Sequence, residues 1–358
     1  MINYTKAQAD LITLSSFEEL TYRAKYILLD GLKSEKCDFE KYRKILIKSV
    51  PEGVYNKVKD KFYSQSYRKK LFSVLEEKGV ECVTLFSENY PVLLRDTEYP
   101  PVTLFCKGDI SLLNTRCFAV VGSRRSTAYA LKHCEKLSGE ICTEFTLVTG
   151  AADGADTAAI NGALDAGGKV IAVLAHGFDY VYPASNAQLF DEVTKSGLLI
   201  SEYPPYVSPK SFLFPVRNRI IAGLSEGTLV VSAGEKSGAL ITADYAYNYG
   251  RTVFAVPYAP HVSSGAGCNA LIRKGAVLCR DITDIFEEFG LSFNAVAALQ
   301  LTELEKNVLE ILKQSGEIFV NDLAETLNLQ PYELLPSLSA LEIKKLAVRL
   351  GGNRYSAT

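Results

Sequence analysis

Short apolar runs alternate with helix-sized stretches between residues 115 and 290. The apolar runs predict β-strands at 117–121, 145–149, 170–174, 198–201, 228–232, 252–256 and 276–279. The stretches between them predict helices at 128–144, 156–166, 186–195 and 239–249. Continuous apolar strands separated by helices indicate a mainly parallel sheet that is covered on both faces. The pattern therefore predicts an α/β fold with a Rossmann-like parallel sheet core over residues 115–290.

The segment before this core predicts a small domain and a connection. Amphipathic patches at 17–29, 42–50 and 67–75 indicate an N-terminal small helical domain of the SAM-like kind over residues 1–80. Tyr-Pro steps after residue 80 favour extended backbone, because the residue before a proline is pushed out of the helical region. We expect residues 81–114 to form an extended linker.

The C-terminal end has a different pattern. Residues 291–300 carry no charge and predict a second linker. Three helical patterns and a hairpin with a glycine turn follow, at 302–313, 320–327, 331–341 and 347–355. They predict a winged-helix-like domain over residues 301–358. Pro336 is awkward within its third helix, because proline removes a backbone hydrogen bond and kinks a helix.

The composition excludes several classes of protein. No run of about 18 apolar residues occurs, so we expect no membrane span, and the first ten residues lack the pattern of a secretory signal. The eight cysteines include no C-x-x-C pair, which argues against a zinc site and a disulfide framework. We expect a cytoplasmic protein that holds no metal and no cofactor.

The charge is distributed unevenly along the chain. The net charge is −2, but residues 1–80 hold 16 Lys and Arg against 11 Asp and Glu, a net of +5. Residues 115–290 hold 15 against 17, and residues 301–358 hold 6 against 8, so each has a net of −2. Any anion site in the middle domain must therefore be a local cluster with backbone donors rather than a uniformly basic face.

Two glycine- and serine-containing loops follow predicted strands. In open parallel sheets, ligands bind beyond the carboxyl ends of the strands, where helix N-termini offer free N–H groups. Gly122-Ser123-Arg124 follows the first strand, and Ser237-Gly238 opens a helix near the fifth. Each is either an anion site or an ordinary helix cap, and the glycine-rich turn 149–156 is either a phosphate loop or a structural turn.

A third loop, 201–225, interleaves aromatic and cationic residues. A single strand of nucleic acid needs rings that stack on bases and cations that contact phosphates. The candidates are Lys210, Phe212, Phe214, Arg217, Asn218 and Arg219. The two phenylalanines are alternatively core residues beneath the loop.

Catalytic patterns are weak. The sequence has neither a G-x-S-x-G elbow nor a Walker lysine loop. We interpret His176 as a loop residue rather than a general base. Asp153, Asp156, Asp179 and Glu202 lie near strand ends, which leaves an acid–base or metal role open.

Taken in order, these loops resemble the DNA-processing protein A family (DprA, also called Smf). The resemblance rests on seven motifs that cover about half of the chain: 122–124, 149–156, 171–183, 201–202, 214–225, 237–243 and 250–276. It implies a protein without catalytic activity that binds single-stranded DNA and loads the RecA recombinase during natural transformation or homologous recombination, in competent cells. It also implies a homodimer formed through the Rossmann-like domain.

The resemblance also assigns roles to residues. It implies that Ser123 and Arg124, together with Lys210, Arg217 and Arg219, hold backbone phosphates. It implies that Phe212 or Phe214 stacks on a base. We include Gly122, Asn218, Ser237 and Gly238 in the expected DNA-binding site.

The chain departs from the family pattern at three positions. Ile160 replaces a common histidine, Ser232 a common glutamate and Tyr258 a common glycine, and we expect Tyr258 to narrow or reshape the groove. Two alternatives stay open. One is a nucleotide-acting enzyme of the phosphoribohydrolase-related superfamily, which would use Glu202. The other makes the terminal domains the main effectors, with the C-terminal domain recruiting a protein or duplex DNA.

Overall fold

The computed structural model describes residues 4–32, 39–48, 50–291, 301–344 and 346–357. Two compact units are present, Met1–Leu291 and Ser292–Thr358. The predicted linker at 291–300 lies outside the described residues except for Leu291. No helix among the described residues is both long enough and apolar enough to cross a bilayer.

A nine-stranded sheet forms the centre of the first unit. Its strands are β1 (Glu81–Thr84), β2 (Thr103–Gly108), β3 (Cys117–Val121), β4 (Thr146–Thr149), β5 (Val170–Leu174), β6 (Leu198–Ser201), β7 (Gly227–Val230), β8 (Thr252–Ala255) and β9 (Val277–Leu278). They lie in the order β1-β2-β6-β5-β4-β3-β7-β8-β9. The strands from β3 to β9 pair in parallel. The predicted Rossmann-like core is confirmed, with each of its strands displaced by at most two residues.

The expectation of an extended linker at 81–114 is wrong. β1 pairs antiparallel with β2, and β2 pairs antiparallel with β6, with Phe105 opposite Ser201. Phe105 and Cys106 are fully buried. The Tyr-Pro steps lie in the connection between the two strands, where Tyr90 donates from its hydroxyl to the carbonyl oxygen of Pro101 at 2.6 Å. The apolar run behind these prolines makes strands because it can extend an edge that β6 would otherwise leave unpaired.

Helices surround the sheet. Those of the first unit are α1 (Lys6–Ser15), α2 (Tyr22–Leu32), α3 (Phe39–Leu46), α4 (Glu52–Tyr63), α5 (Gln65–Glu77), α6 (Val92–Arg95), α7 (Ala128–Ile141), α8 (Ala155–Asp165), α9 (Ala187–Ser196), α10 (Leu213–Leu224), α11 (Gly238–Asn248), α12 (Ala266–Arg273) and α13 (Ile282–Glu288). Single 3-10 turns lie at Ile110–Asn114, Ala184–Asn186 and Ser263–Gly265. The main apolar core lies between the sheet and helices such as α10 and α11.

The N-terminal region is helical, as predicted, but its helices have different bounds. The predicted patch at 17–29 begins four residues before the first residue of α2. Phe17 is buried in the turn before that helix, so apolar spacing continues through a turn and hides the boundary. α1 begins with a capping box in which Thr5 and Gln8 satisfy each other's backbone amides. These helices share their own apolar core.

The second unit has the elements that the sequence predicts. They are α14 (Glu303–Ser315), β10 (Glu317–Phe319), α15 (Val320–Leu327), α16 (Pro331–Ile343), β11 (Ala347–Leu350) and β12 (Arg354–Ala357). The strands form a small sheet in the order β10-β12-β11. Pro336 lies inside α16, which continues past it, and the ring is on the exposed side. This element order is that of a winged helix, and the assignment to that domain class stays a prediction.

Candidate nucleic-acid interface

A cleft of about 560 Å³ lies beyond the carboxyl ends of β3 and β7. The chain passes from β3 to β4 on one side, and β7 lies on the other side of β3, so the strand order reverses here. Ligands of open α/β sheets bind at such switch points. The cleft is lined by the loop after β3, the first turns of α10 and the N-terminal end of α11.

The loop after β3 is anchored from below by serine hydroxyls and backbone groups. The amide of Ser123 donates to the carbonyl oxygen of Ser232 at 2.8 Å, and the hydroxyls of Ser126 and Ser232 share a hydrogen bond at 2.5 Å. The amide of Ala155 donates to the Ser123 carbonyl at 3.2 Å. Gly154 before it has a φ of 79°, and a Cβ there would lie 2.6 Å from that same carbonyl oxygen. Glycine at 154 thus lets the two loops touch.

Arg124 and Phe214 form the wall of the cleft. The guanidinium carbon of Arg124 lies 5.0 Å from the centre of the Phe214 ring, a cation–π contact between the loop and α10. The Phe214 ring also packs against Tyr182, with ring centres 5.4 Å apart. Arg124 itself is exposed, so its guanidinium can still reach a ligand.

Arg217 and Asp156 form the floor of the cleft. The Arg217 guanidinium is buried and donates to the carbonyl oxygens of Gly150, at 2.5 Å, and Val173. Burial lowers the pKa of Arg217 to about 10, which leaves it protonated at neutral pH. Burial also raises the pKa of Asp156, while the charge of Arg217 opposes that shift. Arg217 therefore supplies positive potential from below, with part of its donor set already engaged.

The N-terminus of α11 supplies the opposite wall. Ser237 caps this helix, and its hydroxyl accepts from the amide of Ala239 at 3.4 Å. Asn218 donates from its side-chain amide to the Gly238 carbonyl at 3.2 Å, which joins α10 to α11. The free amides and the positive end of the helix dipole at such a position favour an anion. Lys236, one residue before the cap, is exposed and lines the same cleft.

The structure brings together eight of the eleven predicted site residues in this cleft. They are Gly122, Ser123, Arg124, Phe214, Arg217, Asn218, Ser237 and Gly238. Three others do not line it. Lys210 makes an ion pair with Glu18 at 2.6 Å, and Phe212 has 64% of its surface exposed, so it is not a core residue.

Arg219 is the third, and its surroundings differ from those expected of a phosphate ligand. Its guanidinium is 2% exposed, contacts both carboxylate oxygens of Glu202 at 2.6 Å and donates to the Tyr99 carbonyl oxygen at 2.7 Å. The ring of Tyr22 covers it at 4.4 Å. In the helix, residues 217 and 219 point to different sides, because two positions correspond to about 200° of rotation. The sequence pattern of alternating cations did not distinguish those two sides.

Sequence reasoning missed three cleft residues. Arg125 and Lys236 lay within the loops that it selected but were not assigned a role, and Ile241 lies one turn into α11. Their signal was their position after a strand end or a helix cap. At 158–162, by contrast, Ile160 is fully buried on α8 and lies in the core.

The other two departures from the family pattern act away from the open cleft. The hydroxyl of Ser232 anchors the loop after β3, as described above. Tyr258 does not line the cleft, because its hydroxyl donates to the Val231 carbonyl at 2.8 Å and its ring packs on Gly265. The expectation that Tyr258 narrows the groove is therefore wrong for this cleft.

The candidate acid–base residues are engaged separately. His176 is buried, its Nδ1 lies 3.0 Å from the Gly177 carbonyl, and burial lowers its pKa. Asp179 pairs with Lys78 at 2.7 Å, and Asp153 accepts from the Ser185 hydroxyl at 3.0 Å. Among the residues that the structure describes, no three His, Cys, Asp or Glu side chains are grouped closely enough to hold a metal ion.

Comparison with known proteins identifies relatives along the first unit. The family model described as DNA recombination-mediator protein A matches residues 81–290. The DNA processing protein DprA of Bacillus subtilis is 41% identical over 231 residues, which are 64% of this chain and 77% of that protein. The corresponding protein of Streptococcus pneumoniae is 42% identical over 206 residues, or 58% of this chain and 73% of that protein.

Two solved structures are similar as well. The X-ray structure of DprA from Streptococcus pneumoniae has a TM-score of 0.69 and 32% identity, covering 82% of this chain and all of that one. DNA processing protein A from Helicobacter pylori, whose structure describes a single-stranded DNA binding mode, has a TM-score of 0.54 and 30% identity over 59% of this chain and 95% of that one. The family match spans more than half of the chain, from the first strand of the sheet to the end of α13. This chain belongs to the DNA recombination-mediator protein A family.

Proposed function

We propose that this chain binds single-stranded DNA in the cleft at the carboxyl ends of β3 and β7. One observation carries the proposal. The exposed cations Arg124, Arg125 and Lys236 converge with the N-terminus of α11 on one cleft, although the domain as a whole is slightly acidic. A local cluster of this kind suits a phosphate backbone, and the open rings beside it suit unpaired bases.

The proposed roles follow from exposure. Ser123, Arg124 and the amides near Gly122 and Gly238 contact phosphates, while Phe212 offers an open ring to a base. Lys210 contacts a phosphate after leaving Glu18, which costs little because that pair is exposed on both sides. Arg217 acts through its charge from below, and Arg219 acts indirectly by holding α10 in place.

The wider role extends this binding activity. The Helicobacter pylori relative supports single-stranded DNA as the ligand. We propose that the chain protects incoming DNA and loads RecA recombinase onto it in the cytoplasm, during natural transformation or recombination. We propose that it does so as a homodimer formed through the Rossmann-like domain, and without catalysing a reaction.

The binding proposal is tested by fluorescence anisotropy with a labelled oligo-dT strand and a matched duplex across a salt series. We expect tighter binding of the single strand, with an affinity that falls steeply as salt rises, because phosphate contacts release counterions. Equal binding of both DNAs, or no binding near physiological salt, would contradict the proposal.

The nucleotide-acting alternative has less support from the geometry. It would use Glu202, but both carboxylate oxygens of that residue are held by Arg219, and Glu202 does not line the cleft. Release of free base from nucleoside monophosphates, lost on Glu202→Ala, would restore that alternative.

A further inference from the structure

One face of α7 carries alternating aromatic and cationic side chains. Tyr129, Lys132, His133 and Lys136 are spaced at i, i+3, i+4 and i+7, which places them on a single helical face. Tyr129, Lys132 and Lys136 are exposed, and His133 is partly exposed. We call these four residues the α7 stripe.

The stripe is continuous with the candidate DNA site. Arg125, which lines the cleft, precedes Tyr129 by four residues, and Thr127 caps the helix between them. The hydroxyl of Thr127 accepts from the amide of Ala130 at 3.2 Å, so the first turn of α7 is held directly beside the phosphate loop. A strand that leaves the cleft past Arg125 reaches Tyr129 next.

Tyr129 is built as an open ring rather than as a core residue. Its side chain is 76% exposed, yet its ring stacks on His133 with planes 7° apart and centres 6.2 Å apart. Burial lowers the pKa of His133, which keeps its imidazole neutral at neutral pH and suited to ring stacking. Exposing so large a ring to water while supporting it from one side is the arrangement of a stacking platform for bases.

The lysines of the stripe have little other use. In the part of the chain that the structure describes, Lys132 makes no ion pair, and Lys136 pairs with Glu140 at 3.6 Å while remaining 65% exposed. From Tyr129 to Lys136 the stripe is about 10 Å long at 1.5 Å per residue. It ends where Glu140 reverses the charge.

We propose that single-stranded DNA bound in the cleft continues along the α7 stripe, stacking a base on Tyr129 and placing phosphates beside Lys132 and Lys136. This inference rests on the proposed function and extends its site. It predicts that the stripe affects only strands long enough to leave the cleft.

The test compares two oligo-dT lengths, about 6 and about 20 nucleotides, which bracket common single-strand site sizes. Tyr129→Ala should weaken binding of the long strand about fivefold or more and leave the short strand unchanged, while Tyr129→Phe retains wild-type binding of both. Lys132→Ala with Lys136→Ala should weaken long-strand binding and lower its salt slope by about one. Because all three side chains are exposed, circular dichroism should show unchanged folding.

Tyr247→Ala provides a matched control. Tyr247 is 75% exposed on α11, a helix that has no lysine or arginine and carries the exposed Asp244 one turn earlier. We expect this variant to bind both strands as the wild type does. Equal weakening by Tyr129→Ala and Tyr247→Ala would overturn the proposal, since it would show only a general effect of removing surface rings.

Two further results separate the stripe from the cleft. If Arg124→Ala weakens both lengths while the stripe variants match the wild type on the long strand, the stripe proposal is overturned and the cleft site stands. If Arg124→Ala alters neither length, the cleft assignment itself fails. Light scattering is measured in parallel, and a change of oligomeric state in Tyr129→Ala would overturn the proposal in favour of a subunit contact.

Discussion

The guanidinium of Arg124 lies over the ring of Phe214, with 5.0 Å between its central carbon and the ring centre. This contact ties the phosphate loop after β3 to the first turn of α10. It also occupies one face of Phe214, whose ring is further packed against Tyr182. Phe212, two residues earlier and largely exposed, therefore offers the more accessible ring of the two.

Arg124→Ala should weaken single-stranded DNA binding across unrelated sequences. Losing one phosphate contact should lower the magnitude of the salt slope by about 0.7. Anisotropy titrations at several salt concentrations measure both effects. Arg280→Ala is the control, because Arg280 is an exposed arginine outside the cleft that pairs with Asp284 at 2.5 Å. An unchanged slope in Arg124→Ala would remove Arg124 from the phosphate contacts.

Phe212→Ala should weaken binding without changing the salt slope, because a ring contributes stacking rather than charge. The expected loss is about 1–3 kcal/mol of binding free energy if one base stacks on it. Since the side chain is mostly exposed, the free energy of unfolding should change by no more than about 0.5 kcal/mol. Phe319→Ala in the second unit, where Phe319 is also exposed, is the control for loss of a surface ring. Wild-type affinity in Phe212→Ala would exclude this ring as a stacking site.

Arg219→Ala should destabilise the first unit by about 3–5 kcal/mol, because it leaves the buried carboxylate of Glu202 without its partner. Urea unfolding at neutral pH measures the change. Lys78→Ala, which removes a partly exposed pair with Asp179, should cost no more than about 1 kcal/mol. A variant Arg219→Ala that is as stable as the wild type but has lost DNA binding would show that Arg219 contacts DNA directly.

Lys25 should make stability depend on pH in the alkaline range. Its ammonium is 3% exposed and donates to the Ser15 carbonyl at 2.9 Å, and burial lowers its pKa from 10.5 to about 8. Between these values the unfolded chain holds a proton that the folded chain has released, so raising the pH favours the folded state. Below pH 8 both states are protonated, and the contribution is constant.

The comparison with Lys25→Met isolates this effect from other titrating groups. The variant should be more stable than the wild type at pH 7, and the difference should shrink by about 3 kcal/mol as the pH rises from 8 to 10.5. Chemical denaturation at several pH values measures it. A stability difference that is independent of pH would contradict the burial of a charged Lys25.

A chain that ends at Leu291 should retain the single-stranded DNA affinity of the full chain. The cleft is formed entirely by residues of the first unit. In the second unit, the exposed side of α16 presents Tyr332, Leu335 and Ile343 and no cation, so it lacks the phosphate contacts of a groove reader. Anisotropy titration of both chains is the measurement. Loss of binding on truncation would favour the terminal domain as the effector.

The core of the fold was readable from local sequence because each strand of the parallel sheet is a short apolar run between helices. Buried strands such as β3 and β5 need no partner to be recognised, since their apolar character is continuous. β1 and β2 were missed because antiparallel edge strands are defined by what they pair with. Their nearby prolines also resembled those of a linker.

The sequence by itself determined which loops follow the strands, and hence that Gly122, Ser123, Arg124, Ser237 and Gly238 would meet at one edge of the sheet. Only the tertiary structure decided what each cation does. Arg217 and Arg219 are two residues apart and identical in chemistry, but one lines the cleft and the other neutralises Glu202. The reason is that a helix turns about 100° per residue, so the direction of a side chain depends on which face the helix buries.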